Sequence, residues 1–224
     1  MPVSRTMRTW GIKYFFRKNR WELSLAYFQN ADFSGTGGDT ELSASRYAYD
    51  IAGRDKEAHQ GNVRVVYHFG NLWRQQLGGS VLVGGLYNMD TRKTGFRSAF
   101  ALHYVVDYQR WNLKIQYTSY NLKPVQAPGE DRRMVTMAAY GSSYRIVSRA
   151  DIYTVSLSCR IPVNKLFLDS ICLYNDFSLL DKRTAGFNDS LENVTGCSLT
   201  MGKVFSYIDY AVGRNHAWLG DVWD

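Results

Sequence analysis

Three cysteines, four prolines and no long apolar run set the first limits on this 224-residue chain. Cys159, Cys172 and Cys197 are too few and too scattered for a disulfide framework or a zinc site. So little proline rules out a collagen-like chain, and a hydrophobic fraction of 45% rules out a disordered one. No uninterrupted apolar stretch outruns Leu25-Ala26-Tyr27-Phe28, which excludes a transmembrane helix. The first residues carry Arg5, Arg8, Lys13, Arg17, Lys18 and Arg20 with no long apolar stretch between them, so they do not read as a secretory signal peptide.

Catalytic motifs are missing as well. There is no Walker phosphate loop, no HExxH and no Gly-x-Ser-x-Gly elbow. Ser34-Gly35-Thr36-Gly37-Gly38-Asp39 lacks the lysine and the strand-to-helix context of a phosphate cradle, and reads as a flexible loop. His59, His68, His103 and His216 stand apart along the chain, as lumen, loop or girdle residues rather than ligands. No metal or cofactor is expected. For a hydrolase, the sequence leaves open only His103 with Ser98 or Ser119.

What the chain does have is aromatics: 16 Tyr, 11 Phe and 6 Trp, or 15%. An excess of Tyr over Phe suits surfaces where rings meet both apolar matter and water. The net charge of +7 would permit a nucleic-acid or anionic-lipid partner. The basic residues are dispersed, however, which reads as solvated faces; no nucleic-acid partner is expected.

The loudest signal is alternation with a period of two. Over 97–108, Phe100, Leu102, Tyr104, Val106 and Tyr108 share one face. The pattern resumes with Trp111, Leu113, Ile115 and Tyr117 after Gln109-Arg110, which predicts a two-residue hairpin lacking the preferred Asn-Gly. Residues 21–30, 62–70 and 151–161 alternate likewise, and further strands are expected at 8–16, 79–88, 167–178, 194–202 and 205–212. That makes ten spans close to the ~9–11 residues of a tilted transmembrane strand.

The expected connections alternate between short (17–20, 71–78, 109–110, 162–166, 203–204) and long (31–61, 89–96, 121–150, 179–193). Short turns at one end and long loops at the other suit an outer-membrane barrel. Residues 42–51 also alternate, but a span there would break this order, so they are placed inside the 31–61 connection. That connection is expected to reach towards the channel, with Tyr47, Tyr49 and Ile51 packed on the wall.

Alternation alone does not say which face is outside, and a soluble two-sheet sandwich would show it too. Three features favour apolar-out: the space enclosed by ten or more strands, small polar residues on the other face, and Trp21, Tyr67, Tyr87, Tyr108, Trp111 and Tyr117 near strand ends as in interfacial girdles. The expected fold is all-β, an antiparallel transmembrane β-barrel, with residues 1–224 as one domain. Glu22, Arg64, His68, His103, Asp107, Lys114, Arg160, Asp176 and Asp209 then face a lumen, and all but Glu22 are taken as pore-lining candidates. Their signs are mixed, so no ion preference follows.

The strand pattern resembles Gram-negative outer-membrane porins, the group that includes phosphate-selective porin-like proteins. Alongside it stand Ser45-Arg46-Tyr47-Ala48-Tyr49-Asp50, Tyr174-Asn175-Asp176-Phe177-Ser178-Leu179-Leu180, and Tyr207-Ile208-Asp209-Tyr210 leading into Gly213-Arg214-Asn215-His216-Ala217-Trp218-Leu219-Gly220. The resemblance implies a water-filled barrel in outer-membrane lipid, usually a homotrimer, passing small hydrophilic solutes or ions. The span count also predicts a fragment of a larger barrel, open along 8–16 and 205–212. Competing expectations are a soluble or surface β-protein that binds carbohydrate or acidic polymers, and an outer-membrane hydrolase.

Overall fold

The computed structural model describes residues 10–30, 50–51, 54–139, 142–165, 167–216 and 219. It is all-β. Ten strands form one antiparallel sheet: β1 (Gly11–Lys18), β2 (Trp21–Asn30), β4 (Asp55–Phe69), β5 (Arg74–Asn88), β6 (Lys93–Tyr108), β7 (Trp111–Lys123), β10 (Arg149–Lys165), β11 (Leu168–Lys182), β12 (Ser190–Met201) and β13 (Val204–Arg214), side by side in that order. A three-stranded sheet joins β3 (Asp50–Ile51), β8 (Met134–Ala139) and β9 (Ser142–Val147). The ten expected spans are present and neighbour one another as expected.

Three two-residue turns keep the alternation in phase. Lys18 pairs with Trp21, Tyr108 with Trp111 and Met201 with Val204. The first turn residue has positive φ in each: Asn19 at 53°, Gln109 at 53° and Gly202 at 59°. Asn and Gly accept that region readily; Gln109 carries a strain on the order of 1 kcal/mol.

Several boundaries differ from the sequence reading. The first strand lies at Gly11–Lys18 rather than 8–16, so the turn shrinks to 19–20. The expected 71–78 connection is 70–73, and the supposed long loop at 89–96 is a four-residue turn, 89–92. The 121–150 connection is not merely a loop, because it holds the β8–β9 hairpin. Strands β5 and β6 begin with Arg74-Gln75-Gln76 and Lys93-Thr94-Gly95, which are polar or glycine on both faces, so alternation gives no sign there.

The sheet is open. Among the described residues β1 pairs only with β2 and β13 only with β12, so no closed barrel is present. Paired residues in an antiparallel ladder share a face, so each face can be traced across the strands. One row runs Leu23, Val65, Gly79, Leu102, Tyr117, Tyr153, Leu179, Leu191. Its counterpart on the other face runs Val66, Gly78, His103, Gln116, Thr154, Ser178, Glu192.

The apolar face is the exposed one. Tyr153, Val155 and Leu157 on β10 are 41%, 41% and 45% accessible, whereas Thr154, Ser156 and Ser158 between them are more sheltered. The hydrophobic core sits elsewhere, at the end of the long connections. There Ile51 (3% exposed) and Val135 of the small sheet pack on Leu86 and Leu122 of the large one, and Met134 and Val147 pack with Ala150. Leu86, Leu122 and Ala150 belong to the polar-side rows, so the small sheet lies against that face. Ile51 is thus packed on the wall as expected; Tyr47 and Tyr49 lie outside the described residues.

Candidate functional site

All eight pore-lining candidates share the polar face. Arg64 pairs with Ser80, His68 with Gln76, His103 with Gly78 and Gln116, and Asp107 with Arg74 and Asn112. Lys114 pairs with Val105 and Ser156, Arg160 with Cys172, Asp176 with Ser156 and Val194, and Asp209 with Gly196. The structure brings them to one surface but spreads them over six strands, so they form a lining rather than a compact site.

Glycines open room on that surface for larger neighbours. A Cβ at Gly78 would run into the His103 ring, and one at Gly196 into Tyr174 and Asp209. The Tyr174 hydroxyl donates to the Asp209 carboxylate across Gly196. Asn112 Nδ2 donates to Asp107 Oδ1 at 2.7 Å. Asp107 and Asp209 are thus each held by a neutral donor.

Three arginines at the tight-turn end escaped the sequence reading. Arg17, Arg20 and Arg74 line a cavity of about 450 Å3 together with His68, Gln76 and Asp107. Arg17 Nε is 3.3 Å from Glu22 Oε1, and His68 Nε2 is 3.1 Å from the same oxygen. These side chains come from β1, β2, β4, β5, β6 and the 19–20 turn, so nothing in their sequence spacing announces them. At the opposite end Arg97 donates to Glu57 on the polar face. Next to it Asn88 Nδ2 donates to Asp55 Oδ1 at 2.9 Å. In the 124–133 segment the Arg133 guanidinium holds the Asp131 carboxyl well below the usual range, at about 2.

The hydrolase pairing fails on geometry. His103 is on the polar face, whereas Ser98 pairs with Val83 and Ser119 with Phe100 on the apolar face. Neither serine can meet His103 through the sheet. His59 Nδ1 is 2.8 Å from the Tyr27 hydroxyl, and His216 is 3.6 Å from Glu192. Among the described residues no three His, Cys, Asp or Glu side chains are grouped to hold a metal ion.

The apolar face has its own order. Between its two rims it carries no charged side chain on β2, on β4 from Gly61 onward, or on β5 to β7. Trp21–Tyr67, Trp73–Tyr108 and Tyr117–Tyr153 make ring contacts at 4.6, 4.5 and 5.3 Å. Tyr108 stacks on Trp73 rather than on its register partner Trp111. One polar island interrupts the face: Asn175 and Asn193 exchange hydrogen bonds at 3.1 and 3.3 Å, and Asn175 also donates to Thr195 at 2.8 Å.

The chain matches no family model, no curated protein and no solved structure.

Proposed function

We propose that the ten-stranded sheet is the wall of an outer-membrane β-barrel channel. Its polar face lines a water-filled passage for small hydrophilic solutes or ions, and its apolar face meets lipid. The observation that carries this reading is the inversion of exposure, with apolar rows outward and polar rows sheltered. A soluble sandwich buries its apolar rows against a second sheet of similar size. The one other sheet among the described residues has three strands and lies on the polar side.

Dimensions agree. The apolar row of β10 from Tyr153 to Ile161 spans ~26 Å along the strand, which at the usual barrel tilt covers ~20 Å of an outward apolar band of roughly 25 Å. In lipid the free edges of β1 and β13 require strand partners, because unpaired backbone groups there are prohibitive. The small sheet narrows the passage at the long-connection end, and the Arg17, Arg20 and Arg74 cavity opens at the other.

Planar-bilayer recording on the detergent-refolded chain tests the reading. Stepwise conductance with ohmic single-channel currents is expected. A chain that stays monodisperse in water without detergent and never conducts would overturn it.

A further inference from the structure

The apolar face carries a charged feature at its long-connection rim. Lys123 ends β7, Arg149 opens β10, Arg183 follows β11, and Arg132 arrives from the 124–133 segment. With Asn121 and Thr184 they line a cavity of about 410 Å3 that has no carboxylate in its wall. Arg149 pairs with Asn121, Asn121 with Ser98, and Ser98 with Val83. Val83 belongs to the exposed apolar face, so these cations stand on the outside of the wall, not in the passage. Arg183 is committed to the buried Asp151. Lys123, Arg132 and Arg149 have no carboxylate within ion-pair reach among the described residues, and all three are exposed. Beside them Phe96, which pairs with Lys123, is 50% exposed, and beyond the Ser119–Asp151 row lies the Tyr117–Tyr153 ring pair.

Resting on the membrane reading above, we propose that this rim cavity binds the phosphate-bearing headgroup of a lipid, whose acyl chains run down the aromatic rows below. Uncommitted guanidinium and ammonium groups supply charge-assisted donors to phosphate oxygens, and the fork of Arg149 or Arg132 takes two at once. Position selects a lipid over a free solute. The cations sit on the apolar side of the wall, at the edge of the apolar belt, where the nearest carboxylates, Asp151 and Asp181, are held by Arg183. A headgroup held there keeps its tails on Phe96 and Tyr153, while a soluble phosphate gains nothing from them.

The test uses the refolded full chain with vesicles of neutral phosphatidylcholine, with and without a minor fraction of phosphatidic acid. Stable insertion into the neutral vesicles is required by the channel reading alone, and its failure sinks both readings. Given insertion, phosphatidic acid is expected to be retained through detergent extraction and gel filtration, and K123Q/R132Q/R149Q to weaken that retention roughly 100-fold. K114Q/R160Q, on the polar face, should leave it unchanged, and glycerol phosphate should not displace the lipid. Insertion without preference for phosphatidic acid overturns this inference and spares the channel. So does equal retention by the triple variant, or competition by glycerol phosphate at concentrations matched to the lipid.

Discussion

Arg97 on β6 reaches over β5 to place its guanidinium on the Glu57 carboxylate of β4, and its own register partner on β5 is Gly84, which has no side chain to block it. Arg97 is 14% and Glu57 26% accessible, so the pair is largely removed from bulk water. Removing one partner leaves the other charge poorly solvated. Arg97→Ala should cost about 2–3 kcal/mol, read as a lower urea midpoint of tryptophan fluorescence. The double variant R97A/E57Q should regain part of that loss. Additive losses would mean that the two side chains do not interact in solution.

Neighbouring positions on one strand give opposite outcomes if the apolar face meets lipid. Val155→Arg should cost on the order of 2–4 kcal/mol and reduce the yield of folding into vesicles, because a charge then faces hydrocarbon. Ser156→Arg, one residue on and facing the passage, should fold normally. Equal tolerance, or a reversed order, would show that Val155 faces water.

Charge reversal on the polar face should move selectivity and not stability. Arg64→Glu, Lys114→Glu and Arg160→Glu each stand where the register places them opposite small, neutral or polar partners: Ser80, Ser156 and Cys172. Reversal-potential measurements in a salt gradient should show each variant shifted towards cations, with an unchanged heat-modifiable band on gels. If all three reversal potentials equal that of the parent, these residues do not set selectivity.

The 124–133 segment carries its own pH dependence. Asp131 accepts from the Arg133 backbone amide at 2.9 Å and from its guanidinium, with the carboxyl at about 2. A carboxyl depressed on folding stabilises above the unfolded value near 4 and loses that contribution as pH falls towards 2. Hydrogen exchange at the Arg133 amide should therefore remain protected at pH 4 and become labile only below about 3, relative to neighbouring amides. In Asp131→Asn the protection should no longer depend on pH across this window.

Much of the wall was readable in the residues because alternation is a local property. Tyr153, Val155 and Leu157 declare their face without reference to any other strand, and the eight lining candidates follow from parity alone. The features the sequence did not reveal depend on distance or on irregular backbone. Arg17, Arg20 and Arg74 meet through three connections. The β8–β9 hairpin is short and closes against Leu86 and Leu122, a tertiary packing that no local period reports. Lys123 and Arg149 lie at strand ends where the alternation inverts, with apolar Leu122 and Ala150 on the polar side. His103 was tied to Ser98 and Ser119 by nearness along the chain or across the hairpin, yet the pleat separates them.

The start of β4 was missed for a different reason, and it has a consequence for the inner wall. The ladder with β5 slips between Ala58 and Gly61, where His59 takes φ 46°. Beyond the slip the even residues Asn62, Arg64 and His68 face the polar side; before it the odd residues Asp55 and Glu57 do, as their bonds to Asn88 and Arg97 require. The bulge is thus a phase shifter that sets the sign of the wall there. Removing a single residue at 59 or 60 would rotate Lys56 inward in place of two acids, exchanging a negative rim for a positive one without altering the composition of the strand that faces it.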